Sequence, residues 1–350
     1  MKLTNITSSS PDYCNNQPIY CIENNSMSLG IMAFGATVTF VRTPDRNGNI
    51  KNIALSLSDE NSYFSSDTYA GATVGPAAGR IKGGVLAIHS KKYLLPKNDG
   101  ENTLHSGPNN LGLSLWEVRE TFCRGGEAGV IFTQHLCDGQ NGFPGERDIS
   151  VRYSLFDNNT LEISYSAATD KETWMNLTNH TYWNLSGDFT RPGDFQALQI
   201  NADSLYYNDQ SHLPVSRESV KGTPFDFTSP RSIADAVQSD PSHPQLLNAR
   251  GYNNAYLLKQ NCEPAAVLHD PNSGRRVTVR TDYPSLVFYS GGYLDHSGYT
   301  DEHQKIAAGG AYALEAQYLP DAPRLLGDTA PFLRPGEEYR KSISFHFDTV

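Results

Sequence analysis

The sequence predicts an all-β protein with few short helices. Three observations carry this reading: short segments alternate with period two, turn residues separate them, and long amphipathic helical patterns are scarce. In chain order the first strand is 38–41, where Val38 and Phe40 share a face. The next two are 151–156, with Val151, Tyr153 and Leu155 on one side, and 161–166, with Leu161, Ile163 and Tyr165. Segments 277–280, 286–289 and 342–347 repeat the pattern through Val277 and Val279, Leu286 and Phe288, and Ile343, Phe345 and Phe347. Asp45 to Gly48, Asp157 to Asn159 and Asp270 to Gly274 carry the Asp, Asn and Gly chemistry of tight turns. The best helix candidates are short, at 232–237 and 59–64.

The chain of 350 residues is long enough for a large core. Length alone suggests two domains, but large all-β folds run this long as one unit. The sequence has no linker, no low-complexity tract and no repeat of fixed period, so a single domain over 1–350 is expected. Residues 1–12 are expected to be loosely held. The formal charge of −10 argues against nucleic acid, because phosphate binding needs a basic face. The first residues lack the apolar core of a signal peptide. No apolar run reaches the length of a membrane span, so no membrane partner is expected. The five cysteines (Cys14, Cys21, Cys123, Cys137 and Cys262) are odd in number and show no CxxC spacing. They read as reduced thiols of a cytoplasmic protein.

The densest chemical signal is Asn176-Leu177-Thr178-Asn179-His180-Thr181-Tyr182-Trp183. An imidazole sits among amides and hydroxyls, beside two aromatics able to stack on a sugar ring. The plainer reading of His180 is a hydrogen-bonded core histidine. Downstream, Glu315-Ala316-Gln317 places a carboxylate and an amide in strand-like sequence. An exposed edge glutamate is the plainer reading there. Together, one imidazole and one carboxylate form an acid/base pair, whose pKa values burial and hydrogen bonding can tune. His105, after the run from Asn98 to Leu104, suits a loop lining a polar pocket, or equally a satisfied structural histidine. Arg80, after Gly75 to Gly79, offers a fixed fork of donors to hydroxyls. A surface or ion-paired arginine is the commoner case. Asn253 and Asn254 suit a turn at least as well as ligand contact. The histidines lack metal-ligand spacing, and neither a phosphate loop nor a serine nucleophile elbow appears. Neither metal nor cofactor is expected.

Taken in order, these stretches resemble the aldose 1-epimerase (galactose mutarotase) family, from about Ser28 to the C-terminus. The turn at Pro44 to Gly48 takes part, as do 98–107, 176–185, 222–227, 315–321 and 333–339. The resemblance implies a large β-sandwich of the galactose mutarotase-like supersandwich type, with a shallow polar cleft across one face. It implies cofactor-free interconversion of the α and β anomers of a free aldose. By position, Glu315 matches the catalytic base and His180 the catalytic acid. Arg80 and His105 match substrate-binding residues, and Asn253, Tyr182 and Gln317 are further candidates. The partner implied is a free monosaccharide, with the protein a monomer or homodimer.

Three departures from the family pattern stand out. Asn253 and Asn254 replace an aspartate and a histidine. Pro76 and Gly79 replace an arginine and an asparagine. Ser106 replaces a glycine. The acid/base pair survives all three. Asn253 loses a charge-assisted acceptor but gains donors, which bears on substrate choice more than on reaction type. Three other functions compete. A non-catalytic sugar sensor on the same scaffold is motivated by Asn253. A glycoside hydrolase would need a second carboxylate such as Asp321 or Asp226 near Glu315. A phosphosugar epimerase would need several cations in the cleft, where only Arg80 lies in a site-like motif.

Overall fold

Antiparallel strands dominate the computed structural model, which describes residues 1–6, 18–58, 60–65, 67–260 and 263–350. The largest sheet has nine strands. Its order is Glu117–Arg124, Glu127–Leu136, Arg147–Phe156, Thr160–Thr169, Tyr339–Thr349, Arg275–Thr281, Ala266–His269, Ala197–Ile200 and Arg231–Ser232. A six-stranded sheet runs Tyr182–Trp183, Tyr312–Gln317, Ser285–Tyr289, Asn253–Leu258, Ala202–Asn208 and Pro214–Ser219. The two sheets face one another. Trp183 of the smaller sheet packs its ring 5.0 Å from Phe345 and 5.4 Å from Phe347 of the larger. A five-stranded sheet, from Lys2–Ile6 to Ile50–Asn52, closes one end, with Tyr20 packed edge-on against Phe132. One buried apolar cluster draws residues from Tyr20 to Phe347. The fold is thus the expected β-sandwich, and all six sequence-read strands lie inside observed ones.

The period-two reading is clearest where one face of a strand is buried and the other is not, while Val38 to Val41 and Leu286 to Phe288 are buried on both faces. Leu161, Ile163 and Tyr165 are buried while Glu162, Ser164 and Ser166 are half-exposed. Both expected helices form, as Glu60–Ser65 and Ile233–Gln238. Ser232 caps the second by accepting from the Asp235 amide. At the N-terminus, Lys2–Ile6 pair with Ile19–Glu23 as an edge strand. The rest of 1–12, from residue 7, lies outside the described residues, as do Cys14 and Cys262.

Three chain segments are stitched together by the side chains of 176–179. Asn176 donates to the Tyr318 and Ala78 carbonyls at 3.1 and 3.4 Å, and accepts from the Tyr318 amide at 2.8 Å. Thr178 donates to the Ala316 carbonyl at 2.8 Å. Asn179 donates to the Gly71 carbonyl and accepts from the amide and hydroxyl of Thr181. All three side chains are buried. Buried polar groups are costly unless paired, so these bonds fix where each segment lies. Replacing Asn176 by the nearly isosteric Leu strands the Tyr318 amide and carbonyl. Asn176→Leu is expected to lower unfolding stability by about 2–4 kcal/mol, read as a lower urea midpoint at unchanged slope. A midpoint equal to wild type would show that water replaces the amide.

Candidate functional site

A cleft of about 500 Å³ opens over the six-stranded sheet, within the size range of small-molecule sites. Its floor comes from strands Asn253–Leu258, Ser285–Tyr289 and Tyr312–Gln317. Alternation decides which side chains reach it. Leu314 and Ala316 enter the main core, while Glu315 and Gln317 face the cleft. Glu315 is paired across the sheet with Val287. The Asn176, Thr178 and Asn179 anchors leave His180 pointing over the same floor. His180 Nε2 lies 3.6 Å from Glu315 Oε1. Its Nδ1 is buried and has no hydrogen-bond partner among the described residues, and neither does Gln317 Oε1.

His105 stands beside this pair, its ring nearly perpendicular to that of His180 at 5.6 Å. Its Nδ1 accepts from the Gly79 amide at 3.2 Å, which places the neutral ring's proton on Nε2. His105, Ser106 and Gly107 have φ of 49°, 74° and 90°. A left-handed backbone is unfavourable for the first two. Ser106 offsets this by accepting from the Ala77 amide at 2.7 Å, a bond that a glycine could not supply. Arg80 lines the cleft and is held by Asp99, Nε to Oδ2 at 2.7 Å. Its remaining guanidinium nitrogens make no hydrogen bond among the described residues, leaving donors for a ligand.

Burial governs the electrostatics. It pushes the Glu315 carboxyl up to about 8, against the opposing pull of the Arg80 charge. It pulls the His180 imidazole down to about 4. His105 is held well below the usual histidine range by burial, then by the nearby His180 and Arg80. Near neutral pH the proton of the pair therefore rests on Glu315, and His180 is neutral.

Every sequence-predicted site residue lines this one cleft: Arg80, His105, His180, Tyr182, Asn253, Glu315 and Gln317. Tyr182 does so as a wall rather than an open platform. It is buried, its ring lies 4.8 Å from that of His180, and its hydroxyl donates to the Thr68 carbonyl. The other aromatic of that motif, Trp183, is in the core and cannot stack on a sugar. Asn253 presents its amide to the cleft without a partner among the described residues. Asn254, one position on, faces away and bonds the Tyr206 carbonyl and Gln245. The proposed second carboxylates are committed elsewhere. Asp321 pairs with Arg324 and accepts from the Lys82 amide, while Asp226 accepts from Thr228 and Gly222. Neither of the two lines the cleft with Glu315.

Sequence reasoning missed Asp99, Asn208, His212, Val287 and Tyr289 as lining residues. Asp99 lay inside a motif already singled out. Asn208 and His212 sit around a turn, and Val287 and Tyr289 in an ordinary strand, where register alone reveals their role. The structure also gathers His135, Cys137 and Glu146 on an exposed hairpin. Both ring nitrogens of His135 are already engaged there, by Glu146 at 2.9 Å and Asp148 at 2.8 Å.

The family model described as aldose 1-epimerase matches residues 18–346. Galactose mutarotase of Bos taurus is 31% identical over 332 residues, covering 94% of this chain and 93% of its own. Aldose 1-epimerase of Escherichia coli K12 is 32% identical over 332 residues, covering 93% of each. The crystal structure of galactose 1-epimerase from Lactobacillus acidophilus NCFM superposes with a TM-score of 0.86 at 29% identity, covering 100% of this chain and 99% of that one. With its sandwich, its cleft and the match along nearly its whole length, the chain belongs to the aldose 1-epimerase family.

Proposed function

We propose that this chain interconverts the α and β anomers of a free aldose and that Glu315 and His180 carry the proton transfers. The observation behind this is the buried pair itself, an acid and an imidazole 3.6 Å apart at the bottom of a polar cleft. Between them they hold one proton across the neutral range. A bound sugar donates hydroxyl hydrogen bonds to Glu315, which favours the carboxylate, and Arg80 adds to this. The proton then moves to His180. The carboxylate takes the O1 hydrogen while the imidazolium protonates the ring oxygen, and the C1–O5 bond breaks. The products are a neutral imidazole, a carboxylic acid and an open-chain aldehyde. Rotation about C1–C2 exposes the other carbonyl face, and the same two transfers in reverse close the ring. Arg80, His105 through Nε2–H, Gln317 and Asn253 hold the hydroxyls, and Tyr182 walls the imidazole. The substrate is a free monosaccharide, and the same reading sets the protein in the cytoplasm, as a monomer or homodimer. No helix among the described residues is long and apolar enough to cross a membrane.

Glu315→Gln and His180→Asn are each expected to cut kcat by roughly 10²-fold or more, followed by polarimetry of freshly dissolved aldoses. Their losses should not add, because the two groups work as one. His105→Asn and Arg80→Met should raise KM as well as lower turnover. Near-wild-type activity in Glu315→Gln would sink the assignment. No acceleration for any hexose or pentose by folded protein would favour the sensor reading.

The pH dependence follows from the pair. Below about 4 a second proton loads the imidazole, and above about 8 the last proton leaves the carboxyl. A bell-shaped kcat/KM profile is expected, flat near pH 5–7, with limbs near those two values that belong to the pair jointly. A rate still climbing beyond pH 9 would contradict a one-proton active form.

Asn253→Asp should shift relative kcat/KM between aldoses such as glucose and galactose by about 1–2 kcal/mol, as one hydrogen bond gains charge. No change with any sugar would place the Asn253 amide outside the contact surface.

A further inference from the structure

A cluster outside the cleft carries ligand chemistry that the sugar site does not use. Strands Glu127–Leu136 and Arg147–Phe156 are neighbours in the nine-stranded sheet, and their last two rungs pair His135 with Asp148 and Leu136 with Arg147. Leu136 and Arg147 are buried, so alternation turns His135 and Asp148 to solvent. Cys137 and Glu146 follow one residue beyond each strand end. The His135-Leu136-Cys137 spacing keeps its imidazole and thiol on one face of a strand. One ligand atom each from His135, Cys137 and Glu146 lies within 4.8 Å of the others. None of these residues lines the cleft.

Two features set this group apart from a chance meeting of surface side chains. The first is the use of the imidazole. Nδ1 meets Asp148 Oδ1 at 2.8 Å, and Nε2 meets Glu146 Oε2 at 2.9 Å. A carboxylate on one ring nitrogen fixes the tautomer and orientation of the other, which is the common support behind a metal-bound histidine. A cation entering at Nε2 replaces the proton shared with Glu146 and keeps Glu146 as its second ligand. The second feature is a fixed frame. The buried Arg147 guanidinium donates to the Cys137 and Gly145 carbonyls at 2.9 and 3.0 Å, strapping the two ends of the hairpin loop together. The Asp138 amide donates to Glu146 Oε1 at 3.2 Å, which leaves Oε2 for the imidazole side. The Asp138 carboxylate is itself committed to Lys171 and the Gly145 amide.

Bond lengths of about 2.0–2.3 Å place the ligand atoms of a tetrahedral zinc ion roughly 3.5 Å apart. Small rotations of the His135, Cys137 and Glu146 side chains bring the present spacing to that value. We propose that His135 Nε2, Cys137 Sγ and Glu146 Oε2 bind one divalent transition-metal ion of the zinc class, with Asp148 as the positioning residue. The Cys137 thiol gives its proton to solvent as its sulfur binds, and the fourth position is open to water. A thiolate and an imidazole favour Zn²⁺ or Co²⁺ over the oxygen-seeking Mg²⁺ and Ca²⁺. The ion ties the two ends of the hairpin loop and takes no part in the proton transfers at Glu315 and His180.

The test strips the untagged, full-length protein with a chelator. It is then titrated with zinc chloride by isothermal calorimetry and with cobalt chloride by absorption. One ion per chain is expected, with a thiolate-to-cobalt charge-transfer band in the near ultraviolet. Cys137→Ser should abolish that band, and His135→Gln should weaken zinc binding by about 100-fold or more. Asp148→Ala should keep the band but weaken affinity by about 10–100-fold. Asp148→Asn, which still accepts from Nδ1–H, should recover part of that loss. Cys123→Ser removes the other exposed thiol and should change nothing. Absence of zinc binding, a cobalt complex without the thiolate band, equal affinity in Cys137→Ser, or ready displacement by Mg²⁺ overturns the site.

Discussion

The side-chain amide of Asn176 is the constraint on which the site depends. It ties together the end of the Glu315 strand, the segment leading to Arg80 and the segment leading to His180. These segments are far apart in sequence, and no single sheet contains all of them. An apolar contact would hold them near one another but let them slide. A buried amide with donor and acceptor both used permits one alignment, because slippage leaves buried polar groups unpaired. Thr178 repeats the device one residue pair later, on the Ala316 carbonyl beside Glu315. The spacing of the acid/base pair is thus inherited from ordinary backbone hydrogen bonding.

That alignment also sets the charge state. Packing Glu315 and His180 away from water favours their neutral forms, and burial is the largest influence on each. Two ionised groups at this depth would need strong pairing, and 3.6 Å is too long for a good hydrogen bond. The pair therefore stores its proton on oxygen. In the proposed mechanism, sugar hydroxyls would supply the hydrogen bonds that stabilise charge, so that substrate itself would arm the base.

Much of this was legible in the sequence, for a physical reason. Strands with one buried face write a period of two, which located Leu161, Ile163 and Tyr165 and their counterparts elsewhere. Reactive residue types flagged His180, Glu315, His105 and Arg80 as candidates, and the family resemblance supplied their expected roles. Periodicity gives a strand's faces but not its neighbours, so it could not put Val287 beside Glu315. It could not tell that Asn253 faces the cleft and Asn254 the interior. The 176–179 amides and hydroxyl were read as part of a reactive cluster, whereas they turn inward to hold the backbone. Trp183 failed for the same reason, one residue from a cleft wall yet on the opposite face. The N-terminal strand, polar and short, carried no pattern strong enough to reveal its pairing.

The hydrocarbon side chains of Val287 and Ala255 on the cleft floor have a consequence for motion. Under the ring opening proposed above, the open chain must turn about one bond before it recloses. Directional bonds beneath that bond would have to break and re-form with each swing, adding friction to every cycle. A hydrocarbon surface imposes no preferred angle. On that reading the cleft is rigid where its polar side chains hold hydroxyls and slippery where its guest must rotate.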